Sequence, residues 1–318
     1  MNSYTSLNTD KLNQIKSRNR FQTLFLLIIM AGFTGLLGWW ILGKDFALAA
    51  LLVIAVLGFF NPVYSPKFIM RAYGARPINL SQSPHLHSIN QQLAQRAGLD
   101  KAPVLYYLPI GTMNAFATGT DTNAVIGLSD GLLRTLTLEE QAGVLAHEIS
   151  HIKHNDMRVM SLADTMGMLT RTLSLTGQIL LLFLIPAQLL GMVSINFIAF
   201  IILIFAPFAS ALIQLAISRN RELLADLSAA QLLGDPRPLK NALIKLDGQN
   251  SYWERYYRAS TDTSILRTHP KTEKRVELLN DLYQSSQWQP MNYKNITHNN
   301  LIADQSISPR QIGRYYWF

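Results

Sequence analysis

The sequence predicts a predominantly helical α+β protein held in a membrane by four transmembrane helices arranged as two hairpins. Three observations predict it. Only 15% of the residues are charged against 49% hydrophobic, whereas soluble domains carry about 25% charge. The apolar residues are bunched into long uncharged runs. Between the runs lie capped helical patterns and short β-branched stretches, which read as mixed α and β structure. The 318 residues leave room for two domains and an ample core, and the apolar content excludes disorder over most of the chain. There is no Cys, which excludes disulfides, thiol nucleophiles and Cys-ligated metals and leaves the redox compartment unreadable.

Residues 1–20 form a basic tail with Lys11, Lys16, Arg18 and Arg20. The first hairpin is 21–65: uncharged runs from Phe21 to Ile41 and from Phe46 to Ser65, broken by Lys44 and Asp45, each long enough to cross about 30 Å of hydrocarbon. No small-residue cleavage site follows the first run, so an uncleaved anchor is expected rather than a signal peptide. The second hairpin is 172–218, where Thr172 to Ser218 contains no Asp, Glu, Lys or Arg. Pro186, Gln188 and Gly191 mark its turn, giving helices over 173–190 and 193–217. The first of these is short, so a re-entrant hairpin is the alternative.

The polar chain falls into 66–171, 219–284 and a tail of 285–318. Ser83–Ala97 reads as a helix closed by Gly98, with strands at Val104–Leu108 and Asn123–Leu128 and a further strand, Asn114–Gly119, between them. Thr137 and Glu140 form a capping box opening a helix to about His154. Ser218–Leu233, Pro238–Gly248 and Lys271–Tyr283 are further helices. The tail, rich in Asn, Gln and Ser, carries no readable role.

Lys and Arg flank the outer ends of both hairpins, and only Lys44 lies in a hairpin turn. By the positive-inside rule the bulk of the chain therefore faces the cytosol. This accounts for the formal charge of +8 without nucleic acid, for which no zinc-finger, Gly-rich phosphate loop or basic-aromatic pattern is present.

The sharpest chemical signal is His147-Glu148-Ile149-Ser150-His151. Spacing of i and i+4 on a helix puts both imidazoles on one face, where they can share a Zn²⁺, and Glu148 falls beside the open coordination position as a base for water. With seven histidines in the chain, a chance match is rare. A third ligand is required. His154 lies a turn too far along a straight helix, and Met157 stands where a downstream His would be needed. Glu222 and Asp226 share a helix face as a carboxylate ligand and a carboxylate orienting a ligand His, or as surface acids paired with Arg219 or Arg221. His154 is expected to be exposed, Asp156 to end the helix or touch a ligand, and His85, His87 and His298 to be surface residues.

The HExxH segment followed by Asp156, Ser218-Arg219…Glu222…Ala225-Asp226, Asn114-Ala115-Phe116-Ala117-Thr118-Gly119 and Thr268-His269-Pro270…Arg275 stand in one order over roughly 20–284. In this the chain resembles the HtpX-type membrane metalloproteases, relatives of the CAAX prenyl proteases. The resemblance implies a zincin-like metallopeptidase domain with one zinc ion held by His147, His151 and Glu222. Asp226 would be the partner of a ligand His, His269 an aid to the developing oxyanion, and Arg275 the residue holding that region. Asn114, Ala115, Phe116, Ala117, Thr118 and Gly119 would form an edge strand that pairs with an extended substrate.

The expectation is a multi-pass integral membrane zinc endopeptidase, in a bacterial inner membrane, that cleaves misfolded or damaged membrane proteins at the cytosolic face. Oligomerisation is left open. Two alternatives stand: a prenyl-protein processing protease, and a non-catalytic membrane scaffold with the same fold. Glu222 follows Ser218 by roughly 6 Å of helix, which places the zinc near the membrane surface.

Overall fold

The computed structural model describes residues 9–42, 66–192, 197–257, 272–285 and 288–291. Three long helices dominate: α1 (Thr9–Leu42), α6 (Asp156–Leu189) and α7 (Phe197–Leu233). Among the described residues these three are long and apolar enough to cross a membrane; the expected span at 46–65 lies outside the described residues. At 34, 34 and 37 residues they run about 50–55 Å, well beyond the roughly 30 Å hydrocarbon core. Their exposed apolar side chains mark where the lipid belongs: Phe21–Trp39 on α1, Met168–Leu189 on α6 and Ile198–Leu212 on α7. The α6 stretch spans about 32 Å, a bilayer's worth, and the remainder of each helix projects beyond it.

Inside that belt polar contacts join α6 to α7 and α1 to α6. Pro207 has no N–H, so the Leu203 carbonyl loses its helical partner. Ser174 Oγ of α6 donates to that carbonyl instead, and Gln178 Nε2 reaches it at 3.2 Å. Thr34 of α1 and Thr170 of α6 meet at 2.9 Å between their hydroxyls. Such bonds substitute for the hydrophobic driving force that lipid cannot supply.

Above the belt, α2 (Pro66–Ala72) leads into β1 (Arg76–Pro77), α3 (Pro84–Ala97), β2 (Val104–Leu108), β3 (Ala115–Thr118), β4 (Val125–Ser129), α4 (Asp130–Thr135) and α5 (Leu138–Lys153). The sheet order is β1-β2-β4-β3, with β2 parallel to β4 and β3 antiparallel to β4 at an edge. After α7 come α8 (Arg237–Tyr257) and α9 (Thr272–Ser285). One core, including Leu86, Ile89, Leu93, Leu105, Ile126, Leu145 and Ile149, joins α3, the sheet and α5. Both bonds of the Thr137–Glu140 capping box are made. Gly98 takes φ 75° to close α3, a left-handed conformation that a side chain disfavours. Gly143 lets α8 lie directly on α5, since a Cβ there would sit 2.6 Å from the Leu239 amide nitrogen.

Several boundaries differ from the sequence reading. Neither 172 nor 218 is an element end, because α6 starts at Asp156 and α7 runs unbroken to Leu233. The charged residues at those borders lie within the helices, and the exposed apolar stretches run from Met168 on α6 and end at Leu212 on α7. Helix α1 likewise begins at Thr9, within the expected tail. Pro186 lies inside α6, and the turn comes at Leu190 to Met192. Strand β4 starts at Val125, since the side chain of Asn123 instead accepts from the Thr120 amide in the preceding turn. The short elements α2, β1 and α4 carry too little periodicity to be read from sequence. The start of the tail is docked: the Met291 amide donates to the Leu233 carbonyl and the Trp288 indole to Leu282.

Candidate metal centre

Helix α5 presents His147 and His151 one turn apart, their Nε2 atoms 3.1 Å from each other. Helix α7 brings Glu222 to them, with Oε2 3.4 Å from His147 Nε2 and Oε1 3.8 Å from His151 Nε2. One donor atom from each residue fits within a 4.8 Å cluster. The outer ring nitrogens meet carboxylates: His151 Nδ1 lies 2.7 Å from Asp156 Oδ2 and His147 Nδ1 3.0 Å from Asp226 Oδ1. With each Nδ1–H directed at its acid, both Nε2 lone pairs and the Glu222 carboxylate converge on one point. Ligands tetrahedrally placed at 2.0–2.1 Å from a zinc are about 3.3 Å apart. The donor set therefore fits a divalent cation in both chemistry and spacing.

Arg275 of α9 holds the acids. Its Nε and one terminal nitrogen each donate to an oxygen of Asp226 at 2.7 Å, and the other terminal nitrogen lies 3.2 Å from Glu222 Oε2. Such a two-bond fork is the strong form of an ion pair. Burial alone would lower the pKa of His147, but Asp226 and Glu222 outweigh it and push it up to about 10. Burial, then the positive His147, pulls His151 down to about 4. Arg275 is driven higher still: burial works against its charge, but Asp226 and Glu222 outweigh it.

Glu148 is buried and lines a cavity of about 210 Å³ together with His147, Glu222 and Arg275. Met113, Asn114 and Ala115 also line it, with the apolar Leu132, Val144, Leu239, Leu243 and Leu246 and the polar Asp247 and Thr272. Of the expected edge strand, Asn114 and Ala115 reach the cavity. Phe116, Ala117, Thr118 and Gly119 line none of it, and Phe116 packs against Tyr73 with ring centroids 5.2 Å apart. Ser129 Oγ accepts from the Asn114 amide at 2.8 Å and so fixes where the strand begins.

His269 and His298 lie outside the described residues. His154 is half-buried, with Nε2 2.7 Å from Ser228 Oγ, where exposure was expected; α7 packs across the end of α5 and covers it. His87 is half-buried too, 2.8 Å from the Ile78 carbonyl. Arg221, considered from sequence as a partner for Glu222 or Asp226, instead pairs with Asp156. The resemblance set Arg275 near the oxyanion; its contacts are with Asp226 and Glu222, on the metal side.

A helix-borne imidazole pair, a carboxylate from a distant helix and a second buried carboxylate in the same cavity define a metal-dependent hydrolase of the HExxH class. The comparisons agree. The model of peptidase family M48 matches residues 80–282, and the chain belongs to that family. A "Protease HtpX homolog" from Sulfurihydrogenibium is 33% identical over 85% of this chain and 98% of its own length. Relatives of the same name from Pyrococcus furiosus (34% identical, 79% of this chain, 93% of theirs) and Aquifex aeolicus (34%, 84% and 92%) align similarly. Among solved structures, the crystal structure of S. mikatae Ste24p is similar at 24% identity and a TM-score of 0.46, covering 84% of this chain and 66% of that one. The protein is a membrane metallopeptidase.

Proposed function

We propose that the protein is a zinc-dependent endopeptidase acting on misfolded or damaged membrane proteins at the cytosolic face of the cell membrane. His147, His151 and Glu222 hold one ion per chain, two imidazoles and a carboxylate being a donor set that suits zinc and leaves a position open. When bound, the ion supplies Lewis acidity to the scissile carbonyl and to a water. Glu148 accepts a proton from the attacking water and delivers it to the leaving amine. Asp226 and Arg275 keep His147 and Glu222 in place. His269 donates to the carbonyl oxygen as negative charge develops there. An extended substrate lies along the edge from Asn114 to Gly119, held through its backbone, and the leucines that line the cavity receive a side chain beside the scissile bond.

The observation that carries this reading is the cluster of ligand atoms from His147, His151 and Glu222 beside a cavity that His147, Glu148 and Glu222 line together with Asn114 and Ala115. The basic flanks support the cytosolic face. Leu212 is the last exposed apolar residue of α7, and Glu222 lies about 15 Å further along the helix, higher than 6 Å but still within reach of chain emerging from a bilayer. The test is zinc content beside proteolysis in detergent, for wild type and Glu148→Gln, on an unfolded soluble chain and on a membrane-tethered copy. Equal zinc in both proteins with cleavage lost by a factor of about 10²–10⁴ in the variant is expected, together with faster cleavage of the tethered copy. Full activity in the variant sinks the catalytic assignment, and equal rates on both substrates sink the substrate assignment.

A further inference from the structure

We propose that Asn155, Asp156 and Arg221 act together as positioning residues for His151, and that they lock the helix bearing the HExxH pair to the helix bearing Glu222. The proposal rests on the metal-site reading above and adds three residues to it.

A two-residue turn, His154 and Asn155, separates α5 from α6. Asn155 stands at φ 54°, ψ 37°, the one non-glycine residue with positive φ among the described residues. That left-handed conformation is uncommon for any residue with a Cβ, and Asn tolerates it better than most. Its consequence is geometric. On a continuous helix, residue 156 would stand about 140° round the axis from residue 151, off the face that carries the imidazoles. The left-handed turn ends α5 and starts α6 in a new direction, so that the first carboxylate of α6 comes back to His151 Nδ1 at 2.7 Å. A backbone held in a sparsely populated region needs surroundings that enforce it; here the result is a carboxylate aimed at a ligand.

Arg221 secures that carboxylate from α7. One terminal nitrogen donates to Asp156 Oδ1 and, at 3.0 Å, to the carbonyl of His154, the residue capping α5. Asp156 and Arg221 are both buried, 3% and 6% exposed. Arg221 immediately precedes Glu222 in the chain. The guanidinium therefore ties together the end of the HExxH helix, the acid on His151 and the backbone that carries the third ligand. The same pattern serves the other imidazole, where Asp226 meets His147 and Arg275 grips Asp226. A carboxylate on the outer ring nitrogen fixes the tautomer and the ring plane, leaving the inner lone pair aimed at the ion. A carboxylate free to swing would not, and Arg221 prevents the swing.

The test uses the full chain in detergent, with zinc affinity measured by competition with a chelator and thermal unfolding of the metal-free protein measured alongside. Asp156→Asn keeps the volume but loses the charge, and its zinc affinity should fall ten- to a hundredfold. Arg221→Lys keeps the charge but cannot reach both acceptors, and should lose affinity in the same direction by less. Asn155→Gly, which favours the left-handed turn, should stay within about threefold of wild type, while Asn155→Ala should fall toward Asp156→Asn. If these side chains only staple helices together, metal-free unfolding temperatures drop and zinc affinity stays at the wild-type value, which overturns the proposal. Should Asp156→Asn fail to fold, the Gly and Ala variants at Asn155 decide alone, and equal affinities overturn it. A wild-type protein that binds no zinc would overturn the metal-site reading, and the proposal with it.

Discussion

Replacing Arg275 by Met tests the electrostatics of the centre most directly. Arg275 is buried, as are Asp226 and Glu222, the two acids it contacts. Met keeps much of the volume and removes the only guanidinium shown within 3.5 Å of the two acids among the described residues. Breaking a buried ion pair from one side costs about 3–5 kcal/mol, because the remaining charge is left uncompensated. The metal-free variant should lose about that much. A bound cation neutralises Glu222 and leaves Asp226 with the His147 N–H at 3.0 Å alone, so the loaded variant should lose about half as much. The charge term taken alone then favours zinc binding to the folded variant by about 30-fold for a difference of about 2 kcal/mol, against the loss of aim at His147 that a freed Asp226 brings. The assay is unfolding of the detergent-solubilised protein with excess zinc and with chelator, for wild type, Arg275→Met and Arg275→Lys. Lys should fall between the other two, as a point charge that cannot form the fork. Equal losses with and without metal, or a metal-free loss below about 1 kcal/mol, would show that Arg275 does not balance these charges.

Two further outcomes follow from other parts of the chain. Ser174→Ala removes a donor to the Leu203 carbonyl and should cost about 1 kcal/mol in the wild-type background. In a Pro207→Ala background, where the helical N–H is restored, that cost should nearly vanish, and additive losses in the double-mutant cycle would remove the carbonyl from the account. At Glu140, burial raises the carboxyl pKa, but the Lys245 ammonium and the Thr137 amide more than offset it and hold the group below the usual carboxylate range. A carboxyl depressed by folding stabilises the fold above its unfolded pKa and ceases to as pH falls through the folded value. The stability gap between wild type and Glu140→Gln, about 0.5–1 kcal/mol for a pair whose Lys245 end is exposed, should hold from pH 7 to about 5 and close below about pH 4. A gap unchanged at pH 3 would contradict it.

Local chemistry decides what could be read before the fold was known. Thr137 and Glu140 announce a helix start because both bonds of the cap are made within four residues, and the HExxH face follows from helix spacing alone. Gly98 and Gly234 likewise stop helices with nearest-neighbour geometry. What escaped depends on distance or on single backbone choices. The ends of the membrane helices were drawn at charges, yet α6 and α7 cross those charges, because lipid exposure and helix continuity are different properties. His154 was read as exposed because α5 alone leaves it so, and only the packing of α7 seats it beside Ser228. Arg221 has two acids within five residues on its own helix, but binds a third brought back by Asn155. Hydrophobic periodicity carries no trace of a single left-handed residue.

The continuity of the helices has a mechanical consequence for the metal site. Asp156 opens α6 and Glu222 lies within α7, and each helix passes from the site into the lipid belt without a break. No break separates Glu222 from the apolar part of α7, so the height of that carboxylate is fixed by helix geometry. Pro207 lies about 22 Å below Glu222 on the same helix. A tilt of about 3° there would move Glu222 by roughly 1 Å, a displacement of the size that costs a catalytic site about a hundredfold. The bonds from Ser174 and Gln178 to the Leu203 carbonyl oppose that tilt within the bilayer, and Arg221 opposes it at the site by fastening α7 to the end of α5. Both sets of contacts therefore serve the geometry of one carboxylate, which explains why polar side chains sit in a hairpin that carries no formal charge across the lipid.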